Sequence, residues 1–256
     1  MGHDGVVREE FARQSAAMDE AKIFTDGEII EKIVSAVLGG GGVGRVLDAG
    51  CGPGILSAAL APRVGEVRAL DITSEMIARA EARVGKLRLD NVGFEVGSVD
   101  ELPYCDGFFD VVVTRLMLHH LVSPSRAVEE MARVLRRGGR LVVADIITSE
   151  NPEEARLHNA LEMLRDPSHV RALPASELLG LMGSPPLRVV AREGWVSGRE
   201  YGEWIRITNS PERAGPLLVV MGAFAAAGQR AGIGLRGDGE TVRFDHTWEL
   251  VTAEKV

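Results

Sequence analysis

Short apolar runs alternate with longer segments of helical spacing along most of the chain. The apolar runs predict β-strands at residues 45–48, 66–71, 92–96, 109–114 and 139–146. The segments between them have the apolar spacing of helices that cover a sheet. Strands that alternate with helices in this way predict a parallel sheet with helices packed on it.

Helices are predicted between these strands and after them. Helices are predicted at residues 55–60, 74–84, 124–135, 152–165, 176–182, about 198–207, and 211–227. The helix at 124–135 should have a basic last turn and stop at Gly138 and Gly139. The glycine run at 39–42 should separate an N-terminal helical region from the first strand.

The pattern changes after Ile147. A strand is predicted at 187–192, and a last strand at 242–250 alternates apolar and polar residues with a period of two. We expect these two strands to pair antiparallel at one end of the sheet. The whole chain then forms one domain with an N-terminal helical part, a sheet core and a C-terminal elaboration, at residues 1–43, 44–147 and 148–256.

Composition excludes several classes of protein. The 256 residues are 45% hydrophobic, which supplies enough apolar surface to exclude disorder. The net charge is -8 and no basic cluster stands out, so the sequence does not favour binding to nucleic acid. No apolar run approaches the roughly 18 residues of a membrane span, and no signal peptide is visible. We therefore expect a cytoplasmic protein. Two cysteines exclude a disulfide framework, and no metal site is predicted.

The most informative motif is a glycine loop after the first strand. Gly50, Gly52 and Gly54 stand at alternate positions behind Asp48 and before a helix. Such glycines let the backbone turn sharply and approach a ligand. A dinucleotide fingerprint requires a glycine where this chain has Ile55, so a ligand without a pyrophosphate is favoured. A plain tight turn is the alternative.

Two further strand ends carry polar groups. Asp71 ends the second strand, where a carboxylate can accept hydrogen bonds from both hydroxyls of a ribose; an N-cap for the next helix is the alternative. Ser98 and Val99 follow the third strand, where they can face an adenine edge or simply form a connection. Together the polar groups at these two strand ends indicate a nucleoside ligand.

These residues together resemble the class I S-adenosylmethionine-dependent methyltransferases, and within them the ubiquinone/menaquinone C-methyltransferase-like group. The resemblance covers about residues 45–147. Its marks are Leu47-Asp48-Ala49-Gly50-Cys51-Gly52-Pro53-Gly54, Asp71 with Ser74-Glu75-Met76, Leu102-Pro103-Tyr104 before Phe108-Phe109-Asp110, His119-His120, and Val134-Leu135-Arg136-Arg137-Gly138-Gly139. It implies a Rossmann-like α/β fold with a seven-stranded, mostly parallel sheet, helices on both faces and an antiparallel C-terminal strand.

The resemblance also implies S-adenosyl-L-methionine as cofactor. Asp48 and the glycine loop hold its amino-acid portion, Asp71 its ribose, Ile72 one adenine face, and Ser98 and Val99 the adenine edge. The full implied set is Asp48, Ala49, Gly50, Gly52, Gly54, Asp71, Ile72, Met76, Ser98, Val99 and Arg115. Many relatives carry an acidic residue where this chain has Ser98. Residues 11–24 are then a lid over the cofactor, or ordinary helix packing.

A histidine is the natural general base if the acceptor must lose a proton. His119 and His120 follow the fourth strand, at the edge where ligands bind in such sheets, and His120 is the preferred base. His169 lies in a loop beside Asp166 and Arg171 and is a third candidate. For each, a core, capping or surface-loop role is the alternative.

Other side chains and functions remain open. Tyr201 and Trp204 either line an acceptor pocket or pack helix on sheet, and Cys51 is small filler in the loop. The favoured function is in-line methyl transfer to a small-molecule acceptor. The alternative is a protein that binds S-adenosylmethionine without methylating. Ile55 disfavours a nicotinamide dehydrogenase, and the net charge of -8 disfavours a nucleic-acid methyltransferase. The sequence allows a homo-oligomer.

Overall fold

The computed structural model describes residues 2–39, 41–237 and 241–256. Its strands join one sheet in the order β3-β2-β1-β4-β5-β8-β6, and the two-residue β7 pairs with β8. The strands are β1 Arg45–Ala49, β2 Glu66–Asp71, β3 Val92–Val96, β4 Phe109–Arg115, β5 Leu135–Ile147, β6 Leu187–Glu200, β7 Arg236–Gly237 and β8 Val242–Lys255. The α/β sheet architecture expected from the sequence is confirmed.

Helices occupy the connections between strands and the N-terminal region. They are α1 His3–Met18, α2 Lys22–Thr25, α3 Gly27–Leu38, α4 Ile55–Leu60, α5 Ser74–Lys86, α6 Pro124–Val134, α7 Pro152–Arg165, α8 Ala175–Met182, α9 Tyr201–Arg206 and α10 Pro211–Ala226. Short 3₁₀ turns lie at Ala61–Arg63 and Leu118–His120.

The strand directions follow the prediction. β1 pairs parallel with β2 and β4, and β4 with β5, so the carboxyl ends of these strands meet at one edge. β8 runs antiparallel to β6, as predicted, and also antiparallel to β5. The strand order changes direction between β1 and β4, which is the point where ligands bind in open α/β sheets.

Apolar side chains cover both faces of the sheet. Ile33 of α3, Leu60 of α4 and Met76 of α5 pack on one face. Met131 of α6 and Leu178 of α8 pack on the other. This two-sided burial explains why the central strands read as nearly continuous apolar runs in the sequence.

Several predicted boundaries differ from the structure, among them the end of the helix at 124–135. The chain passes directly from α6 at Val134 into β5 at Leu135, so Gly138 and Gly139 lie inside a strand and do not stop the helix. The register with β4 shifts there, and a Cβ on Gly139 would stand 2.9 Å from the carbonyl oxygen of Asp110. Glycine is needed for close strand approach at this irregularity.

Residues 198–200 form strand instead of the predicted start of a helix. They belong to β6, where Gly198 pairs with Asp245 and Glu200 with Arg243. Pairing with the long β8 overrides the local helical pattern until α9 begins at Tyr201.

The glycine run separates α3 from β1, as predicted. Gly39 ends α3 in the left-handed conformation with φ +53°, while Gly40 lies outside the described residues. In the described parts of the chain, we find no helix with the length and apolarity needed to cross a membrane.

Candidate functional site

A cavity lies where the carboxyl ends of β1, β2 and β4 meet. Its wall includes Asp48 from β1, Asp71 from β2 and Arg115 from β4. All six histidines of the chain also line it: His3, His119, His120, His158, His169 and His246. The cavity therefore combines the predicted nucleoside-binding groups with an imidazole-rich region.

The glycine loop forms one side of the cavity. Gly50 and Gly52 have φ values of +72° and +53°, a conformation that disfavours residues with a Cβ. A Cβ on Gly50 would lie 2.7 Å from Met117 Cγ, whereas one on Gly52 would meet nothing within 4 Å. Gly52 therefore lets the backbone border open cavity space.

Two members of the predicted loop set do not line the cavity. Ala49 is fully buried in the apolar core. Gly54, with φ +76°, packs on α5, where a Cβ would lie 2.7 Å from Ala80 Cβ. Ala49 and Gly54 therefore support the loop on the side away from the cavity. This corrects the expectation that Gly54 faces the ligand.

Asp71 connects the loop to the end of β2. Its Oδ2 accepts a hydrogen bond from Gly52 N at 2.9 Å, and its Oδ1 accepts one from Thr73 N at 2.9 Å. Burial raises the pKa of Asp71, and these backbone donors oppose that rise. Each oxygen keeps a further lone pair, so the carboxylate can still accept two ligand hydroxyls.

Asp48 and Arg115 provide opposite charges at neighbouring strand ends. Asp48 Oδ2 accepts a hydrogen bond from Ser57 Oγ at 2.5 Å. Burial raises the pKa of Asp48 to about 6, although Ser57 and Arg115 act to lower it. Burial also lowers the pKa of Arg115 to about 10, against the attraction of Asp48. A carboxylate and a guanidinium together suit a zwitterionic amino-acid group.

The adjoining wall is formed by the ends of β2 and β3 and by α5. Ile72, Met76, Ser98 and Val99 all line the cavity. Ser98 Oγ also accepts a hydrogen bond from Asp100 N at 3.2 Å, so this side chain stabilises its own turn.

Helix α1 and the start of the chain cover the cavity. Lining side chains begin at His3 and include Phe11 and Met18, so the cover starts upstream of the predicted lid at residues 11–24. Gln14 Nε2 donates to Asp166 Oδ2 at 2.9 Å and ties α1 to the loop after α7. A second contact, from Arg79 Nε to Ser15 Oγ at 2.9 Å, ties α1 to α5.

His119 is paired with a buried carboxylate. Its Nδ1 lies 2.6 Å from Oδ1 of Asp145, which belongs to β5. Burial lowers the pKa of His119, but the charge and hydrogen bond of Asp145 outweigh it and raise the pKa overall. Asp145 also accepts the amide hydrogen of Leu118 at 2.9 Å, so the carboxylate is held in place.

His120 has a different environment, although it is the preferred base from the sequence. Its Nδ1 lies 3.0 Å from the carbonyl oxygen of Ser168, and its ring makes an edge contact with Phe11. Burial, together with the charge of His119, lowers the pKa of His120 to about 4. His120 is therefore the weaker proton acceptor of the adjacent pair.

His169 is also held by a polar partner. Its Nε2 lies 2.8 Å from Asn159 Oδ1, and burial lowers its pKa to about 2. In this loop Arg171 pairs with Glu177. Asp166 instead accepts hydrogen bonds from Gln14 and Ser168.

Comparison with known proteins identifies the family. Residues 47–143 match a methyltransferase domain family. The chain is 31% identical to the uncharacterised methyltransferase YcgJ of Bacillus subtilis (strain 168) over 201 residues, covering 78% of this chain and 79% of YcgJ. The chain belongs to the class I S-adenosylmethionine-dependent methyltransferases.

Solved structures of other methyltransferases extend the likeness over the whole fold. The crystal structure of YcgJ covers 90% of this methyltransferase and 97% of its own chain, at 29% identity and a TM-score of 0.79. The crystal structure of BH2331, a putative methyltransferase from Bacillus halodurans C-125, covers 90% of this chain and 99% of its own chain, at 26% identity and a TM-score of 0.82. The structure of geranyl diphosphate C-methyltransferase from Streptomyces coelicolor A3(2), solved with S-adenosyl-L-homocysteine, covers 90% of this chain and 77% of its own chain. The identity is 17% and the TM-score is 0.62. This last likeness shows the fold alone.

S-adenosyl-L-methionine is the cofactor of the methyltransferase, and the residues of the cavity fit it. The open space beside Gly52 and the free lone pairs of Asp71 suit a nucleoside. The charges of Asp48 and Arg115 suit the cofactor's amino-acid end.

Three cavity residues of this methyltransferase that were not predicted from the sequence lie together. Glu162 Oε1 is 3.0 Å from His246 Nε2 and 3.8 Å from His158 Nε2. Two signals pointed to them: His158 and Glu162 are four residues apart in a predicted helix, and His246 interrupts the apolar face of the last strand.

The remaining candidates of the methyltransferase differ in their surroundings. Tyr201 and Trp204 lie in an apolar cluster with Phe244, and Trp204 Nε1 donates to Glu162 Oε1 at 3.2 Å. Cys51 lines the cavity, but burial and nearby carboxylates raise the pKa of its thiol, which opposes a nucleophilic role.

Proposed function

We propose that the protein transfers the methyl group of S-adenosylmethionine to a small organic acceptor, with His119 as general base. The observation that carries this proposal is the His119–Asp145 pair on the cavity wall, with 2.6 Å between Nδ1 and Oδ1. It is the cavity histidine whose pKa is raised by a carboxylate, while the pKa values of its neighbours His120 and His169 are lowered.

The cofactor-binding roles follow from the charges and shapes along the wall. Asp48 faces the ammonium group of the amino-acid end and Arg115 its carboxylate. Asp71 accepts the two ribose hydroxyls while its own backbone bonds keep the carboxylate oriented. When bound, S-adenosylmethionine supplies a methyl group that is already activated on a sulfonium sulfur.

The adenine part has an apolar and a polar border. Ile72 and Met76 provide apolar surface, and Ser98 and Val99 stand at the edge. Ser98 keeps its hydrogen bond from Asp100 N, so its hydroxyl hydrogen is available for a ring nitrogen.

The acceptor proton is taken by His119. Nδ1–H donates to Asp145 Oδ1, which leaves Nε2 as the proton acceptor. The imidazolium that forms is stabilised by the Asp145 carboxylate, whose other oxygen is fixed by Leu118 N. An acceptor hydroxyl, amine or acidic carbon is thereby made nucleophilic as it attacks the methyl group.

The cover formed by α1 supports a small acceptor. Phe11 and Met18 close the cavity from above, and such closure excludes water from the reacting groups. The net charge of -8 opposes a polyanionic acceptor. The sequence likeness to the ubiquinone/menaquinone C-methyltransferase-like group makes phenolic and quinol acceptors the first class to test.

The experiment measures transfer of labelled methyl from S-adenosylmethionine to a panel of phenols, prenylated quinols, amines and carboxylic acids. His119→Asn is the matched variant, because its amide nitrogen can still donate to Asp145 but cannot accept a proton. With an active acceptor we expect a loss of about 10² to 10⁴ in kcat. Unchanged kcat in His119→Asn would remove His119 as base, and cofactor binding without transfer to any acceptor would contradict the small-molecule proposal.

A further inference from the structure

A second group of side chains lines the same cavity, away from the strand-end carboxylates. It consists of His158 and Glu162 on α7 and His246 on β8, and all three are buried. One donor atom from each lies within 4.8 Å of the other two. We name this group the His-Glu-His triad.

We propose that the His-Glu-His triad binds a divalent first-row transition-metal ion, which holds an oxygen atom of the methyl acceptor. The acceptor part of this inference rests on the proposed function, whereas the metal site stands on the triad alone. Two imidazoles and one carboxylate form a donor set for such ions with coordination positions left open. Because all three residues line the cavity, those positions are accessible from it.

The distances are close to those that an ion requires. Glu162 Oε1 lies 3.0 Å from His246 Nε2 and 3.8 Å from His158 Nε2. Ligand bonds of about 2.0–2.2 Å separate neighbouring donor atoms by about 3 Å or slightly more. Small side-chain rotations are therefore sufficient for all three residues to bind one ion.

Hydrogen bonding leaves a ligand atom of His158 available. His158 Nδ1 lies 3.3 Å from Thr148 Oγ1, and in the tautomer that donates to this hydroxyl the lone pair is on Nε2. His158 Nε2 is buried without a hydrogen-bond partner. A ring nitrogen held by an outer acceptor while the other nitrogen is free is the usual arrangement of a metal-binding histidine.

The surroundings of Glu162 orient its carboxylate. Trp204 Nε1 donates to Oε1 at 3.2 Å, and Arg165 Nε lies 3.3 Å from Oε2. Arg165 therefore forms an ion pair with the oxygen that the triad does not use. Its guanidinium also stacks on Trp204, with 4.9 Å between the Arg165 Cζ and the ring centroid.

The charges nearby permit a cation. The charged side chains linked around the triad are Glu162, Arg165, Asp166, Arg199 and Glu203. They carry three negative charges and two positive charges. A divalent ion makes this group net positive by one, which favours an acceptor oxygen that is anionic or readily deprotonated.

The test is a metal titration of the untagged, chelator-treated full chain without cofactor or acceptor. Zn²⁺ is followed by calorimetry and Co²⁺ by its visible absorption, with Mg²⁺ as the hard-ion comparison. We expect one equivalent of Zn²⁺ or Co²⁺ per chain, a raised melting temperature on binding, and no comparable effect of Mg²⁺.

Glu162→Gln and His246→Gln are the triad variants, and His169→Gln is the matched control in the same cavity. We expect each triad variant to weaken Co²⁺ binding at least about tenfold and the control to leave it unchanged. Absence of saturable binding by the wild type overturns the metal site, as does equal binding by folded Glu162→Gln. These outcomes are independent of methyl transfer, so failure of the metal site and failure of the proposed function are distinguishable.

A separate measurement tests whether the bound metal ion contacts the acceptor. Acetohydroxamate, a bidentate oxygen ligand, should change the Co²⁺ absorption of the wild type if open positions face the cavity. An unchanged spectrum with bound Co²⁺ would contradict the acceptor-holding role while leaving the metal site in place.

Discussion

Asp145 Oδ1 lies 2.6 Å from His119 Nδ1 and so joins β5 to the 3₁₀ turn that follows β4. The carboxylate is 4% exposed and also accepts two backbone amide hydrogens, from Leu118 and Ile146. A carboxylate fixed in this way sets both the tautomer and the proton affinity of His119.

The pH dependence of methyl transfer should follow this pair. The neutral imidazole is the active form of a base, and Asp145 raises the pKa of His119, so the rate should rise with pH through that raised pKa. Asp145→Asn removes the charge, and we expect the acidic limb of the kcat profile to move to lower pH. NMR titration of the His119 ring checks the same shift directly. An acidic limb at the same pH in Asp145→Asn would mean that another group controls the profile.

Asp71→Ala should weaken cofactor binding by about 100-fold or more. The substitution removes acceptors for two ribose hydroxyls, and hydrogen bonds to a charged group contribute about 1.5–3 kcal/mol each. It also releases Gly52 N from the carboxylate. Calorimetry with S-adenosylmethionine and S-adenosylhomocysteine measures the affinity, and thermal unfolding verifies that the variant is folded. A folded variant with wild-type affinity for both ligands would refute the ribose assignment.

Gly52→Ala and Gly54→Ala should have different effects. Both positions have positive φ, which costs about 1–2 kcal/mol for a residue with a Cβ. Gly54→Ala additionally places its Cβ 2.7 Å from Ala80 Cβ, so it should lower the free energy of unfolding more. Gly52→Ala meets no protein atom and should mainly weaken cofactor binding. Denaturant unfolding and calorimetry on both variants separate the two effects, and equal unfolding free energies would contradict the packing role of Gly54.

Acid should destabilise the protein through His120. Its folded pKa of about 4 lies below the unfolded value of 6.5, so the unfolded state binds the proton first as pH falls. Stability present above pH 6.5 is then lost between 6.5 and about 4, by at most about 1.4 kcal/mol per pH unit for this one group.

His120→Asn retains a donor for the Ser168 carbonyl and removes the titration. We expect its unfolding free energy to fall less between pH 6.5 and 5 than that of the wild type. His119 acts in the opposite direction, because its pKa is raised, but it is present in both proteins. Parallel stability curves for the two proteins would show that His120 is not held neutral.

Local patterns were sufficient for much of the fold. The helix at Pro152–Arg165 and the strand at Glu66–Asp71 have the predicted bounds, since their apolar periodicity and flanking residues agree. The boundaries at Gly138 and at Gly198 failed for a shared reason. Each glycine lies in a strand whose pairing partner is distant in sequence, and pairing outweighs the local signal.

The sequence by itself predicted the cavity wall that carries Asp48, Gly52 and Asp71, because these residues lie at or just beyond the ends of strands whose parallel order brings their carboxyl ends to one edge. It did not single out His119 as the proposed base. That proposal depends on Asp145, which lies 26 residues beyond His119 and reaches it only across the β4–β5 pairing.

The His-Glu-His triad required the tertiary structure even more strongly. Glu162 and His246 are 84 residues apart, and they meet because α7 packs near the antiparallel β8. Helical and strand periodicities show which residues share a face of one element. Which faces meet, and which polar groups lose water together there, is decided only when the chain packs.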